Sequence, residues 1–271
     1  MKPSLSSLRI PALVLAGAAF AAGPLQAQVF TYNHLDALLD FRPTAGGATD
    51  FAVDLGPLSQ FTSGGSSFTI TSFDSAQLLS AYGGSLNGLS WSVAGTVRSG
   101  DSTALGPVNT LFMSKASPDL NTASTPYLRA SSSAQGATSA QIQSVANGLN
   151  NTLVGNSLST TMKTMPDGGN QSYSTFVGSL GNWANTFGGG NVENATGSSF
   201  TSAQRSDLYE LVPQAGTPKG PGTLLGFFDL SPTGTLTYTP VPEPATVASA
   251  AAFAGLAALL VWRRRRTAQS V

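Results

Sequence analysis

Two charge-free apolar stretches, one near each end of the 271-residue chain, constrain what this sequence can fold into more than any other feature. The first covers residues 10–22, the second covers residues 245–262, and basic residues flank both. Long apolar helices beside basic residues suit a bilayer better than the core of a water-soluble domain. We therefore expect one exported domain, residues 28–240, between two segments that engage a membrane.

The first 27 residues have the order of a secretory signal peptide. Lys2 and Arg9 precede the apolar stretch, and small residues follow it up to Ala27. A basic leader, a short apolar region and a small-residue exit are the three parts of such a signal. We predict export by the Sec machinery and removal of residues 1–27 by signal peptidase, with cleavage after Ala27.

The C-terminal stretch predicts a single transmembrane helix over residues 245–262. Its 18 residues carry no charge, and as a helix they would be about 27 Å long, close to the thickness of the hydrocarbon layer. Guanidinium groups are retained on the cytoplasmic side, so residues 267–271 are predicted to form a cytoplasmic tail. The stop-transfer residues are four consecutive arginines, Arg263, Arg264, Arg265 and Arg266.

A proline-flanked carboxylate stands immediately before this helix, at Pro242, Glu243 and Pro244. Each proline ring fixes its own φ and disfavours helix in the preceding residue. The helix can therefore begin only after Pro244, and the tripeptide stays extended at the membrane surface. An enzyme that binds extended peptides could recognise it there.

The succession of Pro-Glu-Pro, apolar span and arginine cluster over residues 241–266 resembles the PEP-CTERM sorting domain of bacterial exported proteins. The resemblance covers roughly a tenth of the chain. It implies that an exosortase, a membrane protease or transpeptidase, recognises Pro242, Glu243 and Pro244. It also implies release to the cell surface or extracellular matrix after initial anchoring in the inner membrane, with the domain in the periplasm, and an association with exopolysaccharide and biofilm.

The middle of the chain predicts a mainly β fold, an antiparallel sandwich-like domain. Alternation of apolar and polar residues gives a strand one buried and one wet face, and glycine-rich intervals supply turns. The alternating segments are Val29 to Tyr32, Phe51 to Leu55, Phe68 to Phe73, Leu89 to Val97, Val108 to Met113, Leu208 to Val212, Leu224 to Leu230 and Thr235 to Thr239. The clearest hairpin joins the last two segments through Ser231–Gly234, where Gly234 can adopt a positive φ.

Helical periodicity appears in three places. Asp74 or Ser75 can cap a short helix through Ala81, with Ala76 and Leu79 on its buried side and Leu78 as a further candidate for that side. Apolar residues recur with helical spacing over 139–149 and again over 173–187. We therefore predict a partly helical insertion over residues 134–188.

The composition excludes several catalytic chemistries. The chain has no cysteine and one histidine, His34, so thiolate sites and multi-histidine metal sites are impossible. Residues 28–242 contain seven basic and twelve acidic residues, a net charge of −5 that disfavours nucleic-acid binding. We predict no catalytic residues, no cofactor and no resident metal.

The leading hypothesis is a non-enzymatic exported protein of the cell surface or matrix, and two alternatives remain open. A carbohydrate-binding module would need exposed coplanar aromatic residues for an extracellular polysaccharide. A glycan-active enzyme would need two carboxylates about 5 to 10 Å apart in a cleft. The candidate carboxylate pairs are Asp36/Asp40, Asp50/Asp54 and Asp207/Glu210, and the nearest candidates for a calcium loop are Asp119–Asn121 and Asp167–Asn170.

Overall fold

The computed structural model describes residues 29–47, 49–168, 171–178, 183 and 191–241. Within these ranges the chain is mainly antiparallel β-sheet with few helices, as the alternation predicted. The strands are β1 (Asp36–Pro43), β2 (Thr49–Pro57), β3 (Phe68–Thr69), β4 (Leu89–Thr96), β5 (Leu111–Ala116), β6 (Asn156–Ser157), β7 (Met162–Pro166), β8 (Asn194–Ala195), β9 (Gln204–Leu211), β10 (Thr223–Leu230) and β11 (Leu236–Pro240). The helices are α1 (Ser59–Thr62), α2 (Ser75–Ala81), α3 (Ser132–Asn150) and α4 (Tyr173–Val177).

The strands of the described ranges join in one sheet. Its order is β3-β11-β10-β9-β5-β4-β1-β2-β7-β6, and β8 pairs with β4. The long strand β1 lies between β2 and β4, so that Leu39 is opposite Val53 on one side and Val93 on the other. Every residue of β1 except Pro43 is buried.

The first face of the sheet carries the larger apolar core. Successive side chains of a strand point to opposite faces, and Leu39, Phe41, Val53 and Val93 belong to the same buried cluster. The segment between β2 and β4 packs over this face. Phe61 of α1 has its ring centroid 5.4 Å from that of Phe228 and 5.0 Å from that of Tyr238.

The sheet curls, so its two ends approach each other. Ser72, just after the edge strand β3, accepts a hydrogen bond from Thr161, just before β7 near the opposite edge. The backbone N–H of Asp74 contacts the sulfur of Met162 at 3.3 Å. Both cores are therefore closed by connecting segments as well as by strands.

Helix α3 covers the second face. Ser131 caps its N-terminus by accepting a hydrogen bond from the N–H of Ala134 at 3.4 Å. The predicted apolar stripe is confirmed, because Ile142, Val145, Ala146 and Leu149 are all buried in the second core. A buried contact of 2.6 Å between the hydroxyls of Thr96 and Ser139 also joins the helix to the sheet.

The predicted C-terminal hairpin is confirmed. Phe228 pairs with Tyr238, and Leu230 pairs with Leu236. In the turn between the strands, Gly234 has a φ of +81° and its N–H donates to the carbonyl of Ser231 at 2.9 Å. Glycine adopts this left-handed conformation without the steric cost that a side chain would bring.

Helix α2 follows its predicted bounds, with Asp74 as the capping residue. On its buried side the candidate Leu78 is fully buried and Leu79 is half-buried, but the prediction for Ala76 was wrong, since Ala76 is exposed. On so short a helix a shift of two positions changes the buried side by about 200°. Periodicity alone therefore fixes that side poorly.

The region 134–188 differs from a helical insertion in one important respect. Strand β7 lies within it and pairs with β2 along Thr49–Val53, which makes this region part of the sheet. The helical pattern over 173–187 gives only α4 among the described residues, and Gly178, with a φ of +59°, follows it. Two other strand predictions also differ, because Val29–Tyr32 has no strand and β3 covers only Phe68–Thr69.

Candidate functional site

The predicted sorting residues lie outside the described residues. They are Ala27, Pro242, Glu243, Pro244, Arg263, Arg264, Arg265 and Arg266. In the part that the structure describes, β11 ends at Pro240, and the N–H of Val241 donates to the carbonyl of Leu225 at 2.9 Å. The sheet therefore extends to the residue directly before the Pro-Glu-Pro tripeptide.

No helix within the described ranges is long and apolar enough to cross a membrane. The helix predicted over 245–262 lies outside those ranges.

Inside the domain, the most unusual chemistry is a row of buried carboxyl groups on the second face of the sheet. The row comes from β1 and β2 because alternate residues of each strand point to this face. None of these side chains is more than 6% exposed. We call Asp36, Asp40, Asp50 and Asp54 the acidic stripe.

The stripe pairs its members across strands and not along them. Asp40 lies opposite Ala52, which makes Asp50 its diagonal neighbour, and Asp54 lies opposite Leu38, which makes Asp36 a diagonal neighbour. Diagonal neighbours on one face are within reach of each other. The electrostatic interactions join Asp40 to Asp50 and Asp54 to Asp36, so these pairs replace the candidate pairs Asp36/Asp40 and Asp50/Asp54.

Asp40 is the most isolated carboxyl group of the stripe. It is 1% exposed, and neither carboxylate oxygen has a hydrogen-bond partner among the residues that the structure describes. Burial raises its pKa well above the usual value, and the negative charges of Asp50 and Glu193 raise it further. A carboxyl group in such surroundings is held in its neutral, protonated form.

Asp50 shares this environment but has partial compensation. Burial raises the pKa of its carboxyl to about 6, even though the N–H of Ser174 donates to it at 2.9 Å and so favours the charged form. Its second oxygen has no hydrogen-bond partner in the described ranges. Asp50 thus keeps a proton well above the pH at which an exposed aspartate loses it.

The Arg42–Glu193 ion pair lies beside these two carboxyl groups. Arg42 donates from Nε and Nη2 to the two oxygens of Glu193, each at 2.6 Å, and both side chains are buried. A two-bond arrangement of this kind is the strongest form of an arginine–carboxylate contact. Because Glu193 already neutralises Arg42, little of this positive charge is left to offset Asp40 and Asp50.

The Asp36–Asp54 pair forms part of the lining of a surface pocket of about 570 Å³. The N–H of Gly56 donates to Asp54 at 2.7 Å. Burial, the charge of Asp36 and a hydrogen bond between the two carboxyl groups raise the pKa of Asp54 to about 7. The two carboxyl groups are therefore within hydrogen-bond reach of each other, whereas a glycosidase separates its pair by about 5 Å or more.

The third predicted pair does not converge. Asp207 and Glu210 are three residues apart on β9, so their side chains point to opposite faces of the sheet. Asp207 accepts from Nε of Arg205 at 2.7 Å, and that guanidinium also lies 3.8 Å from the ring centroid of Phe227. Asp207 therefore belongs to a buried structural cluster.

Lys163 is a buried charge that the sequence analysis did not single out. From β7 its ammonium group donates to the carbonyls of Leu149 and Asn151, each at 2.7 Å, at the C-terminus of α3. A positive charge at this end also interacts favourably with the helix dipole. Its short distance in sequence from the predicted helix 139–149 was the signal that could have identified it.

The remaining candidates have local structural roles. His34 is exposed and lies 3.5 Å from Asp101. Asp119 accepts from the N–H groups of Asn121 and Thr122, as a turn residue does. Among the described residues there is no group of three or more acidic or histidine side chains arranged to hold a metal ion.

The aromatic residues of the described ranges contribute to the cores. Trp91 and Trp183 are each at most 1% exposed, so both pack in the interior. The large apolar side chains that are exposed in these ranges are all aliphatic. The described surface therefore lacks the coplanar aromatic platform that a carbohydrate-binding module would use.

Comparisons with protein-family models, with curated proteins and with solved structures found no significant match to this chain.

Proposed function

We propose that this chain is a non-catalytic exported protein that is sorted through a PEP-CTERM segment and processed by an exosortase-type membrane enzyme. The observation that carries the proposal is the order of Pro242, Glu243 and Pro244, an 18-residue uncharged span and four arginines. The signal-peptide pattern of residues 1–27 supports the same orientation independently, because both ends direct the middle domain out of the cytoplasm.

The proposed architecture is a sandwich-like ectodomain with a partly helical insertion, followed by one transmembrane helix over 245–262. The position of the last strand is compatible with this arrangement. Because β11 ends at Pro240, the Pro-Glu-Pro tripeptide follows the folded domain directly. A processing enzyme could then cut near the tripeptide without unfolding the sheet.

The role proposed for the ectodomain is structural, at the cell surface or in an exopolysaccharide matrix. The buried carboxyl groups favour this role over glycan hydrolysis, because Asp36 and Asp54 are within hydrogen-bond reach of each other and so too close to flank a glycosidic bond. Before processing, the precursor would have its arginines in the cytoplasm and its domain in the periplasm. The mature protein would be released after processing.

The decisive experiment is mass spectrometry of the C-terminus of the mature protein, from cells with and without the processing enzyme. The expected result is a C-terminus near Pro242–Pro244 in the first case and Val271 in the second. Recovery of Arg263–Arg266 on mature protein from cells with the enzyme would contradict the proposal.

Two proline variants provide a test of the tripeptide and a matched control. The double variant Pro242→Ala/Pro244→Ala is expected to accumulate as full-length precursor in the membrane fraction. The control replaces Pro118 and Pro126, two exposed loop prolines, by alanine, and it should be processed normally. Equal processing of both variants would show that the processing enzyme does not recognise the tripeptide.

A further inference from the structure

The acidic stripe raises a question of charge balance inside the domain. Four aspartates, Asp36, Asp40, Asp50 and Asp54, are buried on one face of two adjacent strands. The nearest buried cation, Arg42, is already bonded to both oxygens of Glu193. Lys163 uses its ammonium group on the carbonyls at the end of α3. No described cation is therefore left to neutralise Asp40 and Asp50.

We propose that the acidic stripe is a proton-dependent lock that holds β1 against β2, closed when Asp40, Asp50 and Asp54 carry protons and weakened when they lose them. The geometry supports this in two ways. Within the described part of the chain, both oxygens of Asp40 are buried without a hydrogen-bond partner, and such burial disfavours the charged form of a carboxyl group. In addition, the carboxyl groups form two diagonal pairs across the same strand pair.

Other charged and titratable groups pack around the stripe, and none of them removes the imbalance. These neighbouring groups are identified by the ion pairs, hydrogen bonds and electrostatic interactions that they make in the described part of the chain. Those groups are Arg42 of β1, Lys163 of β7, Asp167 after β7, Tyr173 of α4, Glu193 before β8, Tyr82 after α2, and Tyr32, His34 and Asp101 in connecting segments.

The sign of the effect follows from linkage. A carboxyl group with a raised folded-state pKa binds its proton more tightly in the folded chain than in the unfolded chain, where its pKa is about 3.9. Its stabilising proton is fully bound below about pH 4. That contribution is lost as the pH rises to about 6 for Asp50 and about 7 for Asp54. Burial raises the pKa of Asp40 well above its usual value, so its contribution also persists beyond the pH at which an ordinary aspartate loses its proton.

The experiment measures urea unfolding of the full-length chain, kept in a mild non-ionic detergent, at several pH values from about 5 to about 8. Each group that takes up a proton on folding has one pKa in the unfolded chain and a higher one in the folded chain. Between these two pKa values the folding equilibrium constant falls about tenfold per pH unit. We expect at least about a tenfold fall per unit between about pH 5 and 7. A constant or rising equilibrium constant would overturn the proposal.

Asparagine variants identify the residues responsible. Asp40→Asn and Asp54→Asn keep the side-chain shape but cannot lose a proton, so each should flatten the pH dependence by about tenfold per pH unit. The control is Asp119→Asn, at an exposed turn residue whose pKa is lowered by local hydrogen bonds. It should keep the wild-type slope, and the proposal fails if the stripe variants keep that slope as well.

A second measurement does not depend on whether a variant folds. The carboxyl carbons of ¹³C-labelled aspartate in the wild-type chain can be titrated by NMR. We expect at least two aspartates to titrate at or above about pH 6. Titration of every aspartate below about pH 5 would overturn the lock.

Discussion

At the scale of single residues, the Arg42–Glu193 ion pair shows how this domain keeps charge in its interior. The two side chains are 5% and 4% exposed and are joined by two hydrogen bonds of 2.6 Å. In a buried ion pair the attraction between the two charges roughly offsets the cost of removing both from water. A buried charge without a partner has no such compensation and is strongly destabilising. The pair therefore allows Arg42 to sit in a strand that is buried on both faces.

Replacing one partner should reveal this dependence. We expect Arg42→Met to lower the free energy of unfolding by about 3–5 kcal/mol, because Glu193 is left as an uncompensated buried charge. The double variant Arg42→Met/Glu193→Leu should lose less than Arg42→Met alone. Urea denaturation of the wild type, Arg42→Met, Glu193→Leu and the double variant measures these losses of stability. Additive losses would show that the two side chains are not coupled.

At the scale of elements, the β10–β11 hairpin depends on a close approach of two backbones. Gly226 lies opposite Pro240, beside an irregularity in the β9–β10 register. A Cβ atom at Gly226 would lie 2.5 Å from the carbonyl oxygen of Thr239 and would also clash with the hydroxyl of Tyr238. A backbone oxygen in a sheet cannot move aside cheaply.

Gly226→Ala should therefore destabilise the domain by about 1–3 kcal/mol, as overpacking of a well-packed site does. Gly65→Ala is the matched control, because a Cβ atom added there would meet nothing within 4 Å and the φ of Gly65 is not in the left-handed region. It should change the stability by less than about 0.5 kcal/mol. Thermal denaturation of both variants separates the two cases, and an equal effect would exclude the clash.

The same scale shows what sequence could and could not predict. The C-terminal hairpin, α2 and the buried face of α3 were predicted because turn residues, a cap and helical periodicity are local signals. Strand β1 was missed because Leu38, between Ala37 and Leu39, interrupts the alternation of apolar and polar residues, and the sequence gives no sign that Asp40 and Arg42 are buried. Charged residues normally indicate a solvent-facing side, and here tertiary packing buries them.

The candidate site was less predictable than the fold for a related reason. Sequence placed Asp36 near Asp40 and Asp50 near Asp54, but the register of β1 against β2 decides which carboxyl groups meet. Glu193 is 151 residues from its partner Arg42. Contacts at such separations depend on strand order, which alternation does not specify.

At the scale of the whole molecule, the domain boundary near Val241 decides whether sorting and folding are independent. Leu236 and Tyr238 of the last strand are fully buried. The hydroxyl of Tyr238 donates to the carbonyl of Phe61 at 2.7 Å, and its ring lies 4.9 Å from that of Phe228. The strand that directly precedes the Pro-Glu-Pro tripeptide is thus part of the first core.

Two truncations test this boundary. A chain of residues 28–241 keeps every strand of the described sheet and should unfold in a single cooperative transition, with a midpoint close to that of the domain in the full chain.

A chain of residues 28–235 loses β11 and with it Leu236 and Tyr238. The loss of two buried side chains and of the hairpin hydrogen bonds is comparable with the total stability of a typical domain, about 5–15 kcal/mol. We therefore expect no cooperative transition, as measured by circular dichroism during heating. Cooperative unfolding of the shorter chain at the same temperature would place the boundary before β11 and would separate that strand from the core.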